Sequence, residues 1–98
     1  MDGDELRFCW DDRKAASNRA KHRVSFEMAT LVFDDPMRFE RADTFAEGEY
    51  RSIVTGRAHG RLLTVVYVAR HDDLYRIISA RLATPPERNA YAQNLFHP

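Results

Sequence analysis

The hydrophobic and polar positions of this chain change rhythm along its length. A short apolar run, LRFCW at 6 to 10, reads as a first strand, and Asp11 or Asp12 after it can cap a helix. That helix is expected over about 12 to 22, with Ala15, Ala16 and Ala20 as its packing side. Lys14, Asn18, Lys21 and His22 fall at i, i+4, i+7 and i+8 and share one polar face. Ser25 reads as the cap of a second helix, FEMATLVF, whose Phe26, Ala29 and Phe33, with Val32 beside them, form a core-facing stripe. The DDP at 34 to 36 ends it.

Residues 36 to 48 show no clean period and read as a loop. After them the apolar period shortens to that of strands, in EYRSIVT (49 to 55), RLLTVVYVA (61 to 69) and LYRIISAR (74 to 81). The links GRAHG and RHDD suit antiparallel hairpins. The middle run is apolar on both faces, Leu63, Val65 and Tyr67 on one and Leu62, Val66 and Val68 on the other, which predicts the central strand. Last, Thr84 and Glu87 make a capping box, with Pro85 and Pro86 in the first turn, where a missing N–H costs little. Tyr91 and Leu95 share a side of this helix and are expected to pack on the sheet or on a partner. The order β-α-α-β-β-β-α describes one α+β domain over residues 1–98, an antiparallel sheet with helices on one face or edge.

Composition changes this picture little. Charged residues are 31% and hydrophobic ones 44%, ordinary for a soluble domain. The longest apolar run, at 62 to 69, is far short of a membrane span, and the acidic start is unlike a signal peptide, so a cytoplasmic protein is expected. The single cysteine, Cys9, is expected to be a buried strand residue.

Charge is more informative. The net of zero divides into 8 Lys/Arg against 12 Asp/Glu over residues 1 to 49, and 7 against 3 over residues 50 to 98. An anionic ligand is therefore expected on the second half. Thirteen of the 15 basic residues are Arg, whose planar fork matches phosphate or carboxylate bidentately.

No phosphate loop, metal-binding His pair or nucleophile elbow is present, so no metal and no cofactor is expected. What remains is a cationic and phenolic set: Arg51, Arg61, Tyr67, Arg76, Arg81, Arg88 and Tyr91, with Lys14, Lys21 and His22. Such a set suits RNA cleavage without metal, in which a 2′-hydroxyl attacks the adjacent phosphate. The reaction needs a base, an acid and fixed positive charge at phosphorus. An imidazole, ordinarily titrating near about 6.5, could act as either. Lys21 and His22 equally suit the end of a helix, where cations offset unpaired carbonyls by about 0.3–1 kcal/mol. Arg76 and Arg81, five apart on one strand, are expected to point to opposite faces, so that at most one shares a site with Arg51. The arginines could also pair with Glu47, Glu49 and Glu87.

Two segments resemble a known family. FCWDDRKAASNRAKHRVSFEMATLVFDDP is similar to the F-x-W-D-x-x-K-x-x-x-N-x-x-K-H-G-V-S-F-E-E-A-x-x-V-F-x-D-P pattern of the BrnT toxins of type II toxin–antitoxin systems. GRLLTVVYVAR and RIISARLATPPERNAY resemble its later segments, and the likeness runs from about residue 8 to 91. The resemblance implies a RelE-like fold and a growth-arresting ribonuclease. It also implies neutralisation by a BrnA ribbon-helix-helix antitoxin, in a complex of two toxins and two antitoxins that represses its own operon. On this chain it makes Lys14, Asn18, Lys21 and His22 motif positions and points to Glu49, Arg51, Arg81, Glu87, Arg88 and Tyr91. RelE-like nucleases rely on basic and tyrosine side chains, which puts Arg51 and Arg81 foremost.

The expected catalytic group is thus Lys21, His22, Arg51 and Arg81, with Lys14, Asn18, Arg61, Arg76 and Arg88 contacting RNA and Glu49, Glu87 and Tyr91 in support. Two departures bear on it. Arg23 stands where the family has Gly, at the expected left-handed helix end, which costs about 1 kcal/mol or forces another turn. Phe45 and Ala46 stand where the family carries His-Ser. If that His were needed, the chain would be a weak nuclease, and the alternative is a binding partner that holds the antitoxin and tunes repression. Direct DNA binding ranks last, since no recognition helix is apparent.

Overall fold

The computed structural model describes residues 5–96, with side chains at all of these except 42–44, 95 and 96. The chain runs β1 (Arg7–Cys9), α1 (Asp12–His22), α2 (Phe26–Thr30), a 3-10 turn (Leu31–Asp34), β2 (Phe39–Ala46), β3 (Glu49–Ala58), β4 (Arg61–His71), β5 (Leu74–Leu82) and α3 (Pro85–Phe96). The sheet order is β1-β5-β4-β3-β2, so β4 is central as its two apolar faces require. All neighbours are antiparallel except β1, which lies parallel to β5.

The segment 36 to 48 is not a loop: most of it is β2, and the order becomes β-α-α-β-β-β-β-α. An edge strand has one bare side and carries charge there, so Glu40 and Arg41 obscure the alternation. A bulge between Arg41 and Thr44 breaks it further. The two foreseen links shorten to the two-residue turns His59-Gly60 and Asp72-Asp73, and β2 adds another at Glu47-Gly48; Glu47, Gly48, His59 and Gly60 all have positive φ, as a turn matched to strand twist demands.

One sheet face forms the core. Val54, Leu63, Val65, Tyr67, Ile77 and Ala80 pack there against Phe26, Ala29, Val32 and Phe33, the stripe expected of the second helix. Gly56 lies under it, since a Cβ there would sit 2.7 Å from a Val32 methyl. The Tyr67 ring belongs to this core; burial and its hydrogen bond to Glu40 push its hydroxyl well above the usual phenol range. Cys9, by contrast, is exposed: β1 is an edge strand whose alternate positions, 7 and 9, face away from the core.

Two devices fix α1. Asp11 is its cap, its carboxylate accepting from the N–H groups of Arg13 and Lys14. Asn18 is buried, its amide donating to the carbonyls of Val24 and Ala80 and accepting from the Ala80 N–H at 3.1 Å. β1 pairs with β5 only as far as Arg76, so Asn18 replaces a neighbouring strand at Ala80.

Arg23 ends α1 in the left-handed region, φ 60 and ψ 31, its N–H reaching the Arg19 carbonyl. The chain thus keeps the turn a glycine would make and accepts the strain. Arg23→Gly is expected to stabilise the fold by about 1 kcal/mol, read as a rise of roughly 4–8 °C in melting midpoint. An unchanged or lower midpoint would show that no strain is held there.

Candidate functional site

Strand register defines the opposite sheet face. Arg51, Val68 and Arg76 form one row across it, Arg41, Ile53, Val66 and Ser79 the next, and Thr55, Thr64 and Arg81 a third. Arg76 and Arg81 therefore share a face with each other and with Arg51, against expectation. The reason is a bulge: Val66 pairs with Ser79 but Tyr67 with Ile77, so Ile78 is an extra residue that restores both arginines to one side. Bulges of this kind recur where a strand must re-aim a side chain beside a site.

The arginines of these three rows each have a carboxylate. Arg76 bonds Glu49, with Arg70 at 4.0 Å on its other oxygen, and Arg51 bonds Glu47 at 2.8 Å. Among the described residues, the buried Nε–H groups of Arg51 and Arg76 have no hydrogen-bond partner.

α3 covers the far end of this face, so only α1 and α2 lie on the core side. Its Glu87 is 7% exposed and gathers five donors. Arg81 reaches it bidentately at 2.8 and 3.0 Å, and Arg41, Thr64 and the Thr84 N–H each bond it at 2.8 Å. Because a carboxylate only accepts, Thr64 must donate to it and Thr55 to Thr64, 2.7 Å away. Burial pushes the Glu87 carboxyl up, but the bonds from Arg81, Thr84 and Thr64 prevail and hold it at about 2. Glu87 is the capping residue foreseen, and also the anchor of two arginines.

The polar face of α1 meets this face at its β5 edge. Lys14, Ser17, Asn18, Lys21 and His22 line a cleft of about 240 Å³ with Ile78 and Ser79. Lys21 and His22 lie in the last turn of α1, so the capping position and the cleft coincide. Asn18 reaches the cleft with its amide already committed to the backbone.

The remaining candidates lie elsewhere. Tyr91 is buried, donating at 2.6 Å to Asp35 with Arg57 over its ring, and so latches α3 to the 3-10 turn. Arg88 is exposed on α3. Arg61 pairs with Ala58, seven residues along the hairpin from Arg51 or about 23 Å, and does not join the group. Arg41, which no sequence signal marked, does. Among the described residues no group of three or more His, Cys, Asp or Glu is placed to hold a metal ion.

The result is a small α+β domain with one sheet face given to paired arginines and a Lys-His cleft at its edge. Comparison with known proteins shows its family. Residues 10–87 match the model of the ribonuclease toxin BrnT of type II toxin–antitoxin systems, and the chain belongs to that family. The crystal structure of the Brucella abortus ribonuclease toxin BrnT is similar, with a TM-score of 0.64 and 26% identity over 81% of this chain and 97% of that one. No curated protein matches the chain. Membership in a type II system implies an antitoxin partner, and among the described residues no helix is long and apolar enough to cross a membrane.

Proposed function

We infer that this chain is a growth-arresting toxin that cuts RNA internally without a metal ion. It acts in the cytoplasm until a BrnA-like ribbon-helix-helix antitoxin binds it, two toxins with two antitoxins, and it meets DNA only through that antitoxin. The observation that carries this reading is the bulge at Ile78, which brings Arg51, Arg76 and Arg81 to one face beside Ser79 and the Lys21-His22 cleft.

The rows of Arg51 and Arg81 lie four residues apart along β3 and β4, about 13 Å. With Arg81 held on Glu87, the two hold different phosphates of one strand. The phosphate between them lies against the Ser79 row, where Lys21 and His22 are the groups placed to move protons. His22 takes the proton of the attacking 2′-hydroxyl or returns one to the leaving 5′-oxygen, and the arginines stabilise the charge that builds on the phosphoryl oxygens. Phe45, the departure that bore on activity, pairs with Tyr50 and so alternates away from Arg51 onto the other face. Its presence leaves the arginine rows intact, which favours the nuclease over the inactive binding partner.

Induced expression in cells tests the reading. Growth should stop, resume when a BrnA-like antitoxin is co-expressed, and continue uninterrupted with Arg51→Ala. Arrest that persists undiminished through Arg51→Ala, Arg81→Lys and His22→Ala would count against it.

A further inference from the structure

We propose that Arg41 and Arg81, joined through Glu87, form a preassembled two-pronged site for one RNA phosphate, making Arg41 a substrate-binding residue. The inference rests on reading this face as the RNA surface and deepens it by assigning one end of the bound strand.

Three observations carry it. First, the geometry is that of a clamp: Arg41 Nη2 and Arg81 Nη2 both bond Oε2 of Glu87, at 2.8 and 3.0 Å, so they stand no further apart than those two bonds laid end to end. One tetrahedral phosphate spans such a gap. Second, the charges do not cancel. Two guanidiniums on one carboxylate leave a net of one positive charge, and the burial is uneven. Glu87 is 7% exposed while the Arg41 and Arg81 side chains are 40% and 36% exposed, so the anion lies beneath and the cations present their outer edges to solvent. Third, the clamp is rigid before any ligand arrives. Glu87 is fixed by Thr64 and by the Thr84 N–H, and Arg81 by two bonds, so little side-chain freedom is lost on binding.

A purely structural role for Arg41 accounts for less. Glu87 already receives a bidentate arginine, a hydroxyl and an N–H, which fill one oxygen and engage the other. A second arginine adds little to its satisfaction and adds the surplus charge. That surplus is what an anionic ligand needs.

The test uses a 2′-O-methyl single-stranded RNA oligonucleotide, which lacks the attacking hydroxyl and reports binding alone, titrated by fluorescence anisotropy at several salt concentrations. Wild type should bind with an affinity that falls with salt. Arg41→Gln should bind roughly ten-fold more weakly and lose about 0.7 from the log–log salt slope, the value of one phosphate contact on a single strand. Arg41→Lys should recover part of the slope. Circular dichroism melts establish that the variants are folded, and Arg19→Gln, exposed on the side of α1 that faces Ser25 and Glu27, serves as a control for general loss of surface charge. A folded Arg41→Gln with wild-type affinity and slope overturns the clamp while leaving the RNA surface standing. Absence of salt-dependent binding by wild type overturns the surface itself, and the clamp with it.

Discussion

Replacing Glu87 with alanine is expected to destabilise the fold by about 3 kcal/mol. Breaking a buried ion pair costs roughly 3–5 kcal/mol, and the lower end applies because Arg41 and Arg81 are exposed enough to turn toward water. What is not relieved is the buried Thr55-Thr64 hydroxyl pair, one proton of which is left without an acceptor. Acid should reproduce the loss in the unaltered protein. The Glu87 carboxyl lies at about 2 against an ordinary 4.5, a gap that corresponds to about 3 kcal/mol. Because the folded value is the lower one, this contribution is complete above pH 4.5 and disappears as pH falls through about 2. Melting midpoints measured from pH 5 to pH 2 should therefore drop steeply for wild type and much less for Glu87→Gln. Asp35, also held below the usual range, against its burial, by bonds from Tyr91 and the N–H groups of Arg57 and Met37, sets the residual slope of that variant. Parallel curves for the two proteins would show that Glu87 is not the anchor described.

Asn18→Ala is the second large effect, expected to cost about 2–4 kcal/mol. It removes three hydrogen bonds at once and leaves the N–H and carbonyl of Ala80 buried without partners. Asn18→Asp should fare little better, since a carboxylate cannot donate to the carbonyls of Val24 and Ala80. Amide hydrogen exchange at Ala80 would report the loss directly, quickening in both variants while amides in the middle of β4 follow only global stability. An Asn18→Ala protein with a wild-type midpoint and weakened RNA binding would instead make Asn18 a contact of the RNA rather than a tie between α1 and β5.

Those two residues also show what a sequence can and cannot convey here. Helical spacing placed Asn18 on the same face as Lys21 and His22, correctly, but spacing carries no depth, and the bare β5 edge that draws Asn18 inward exists only after β1 has ended. Thr84 and Glu87 were legible as a capping box because the motif is local. The two arginines on Glu87 were not, since Arg41 is 46 residues away. β4 announced itself by being apolar on both faces, whereas β2 is an edge strand whose charged residues find partners, Tyr67 for Glu40 and Glu87 for Arg41, only in the assembled sheet. The arginine face was misjudged for one reason. Strict alternation puts Arg76 and Arg81 on opposite sides, and one bulged residue, Ile78, reverses that conclusion.

If the arginine face and the cleft beside it cut RNA, purified protein in EDTA should cleave a fluorescent single-stranded RNA. Arg51→Ala is the informative variant, because its partner Glu47 is 77% exposed and the pair contributes little to folding. Arg81 variants confound chemistry with stability through Glu87. The expected result is metal-independent cleavage by wild type, at least 100-fold slower in Arg51→Ala and in His22→Ala, with melting midpoints showing both to be folded. Cleavage that needs an added divalent metal, or that proceeds at the wild-type rate in both folded variants, would contradict it.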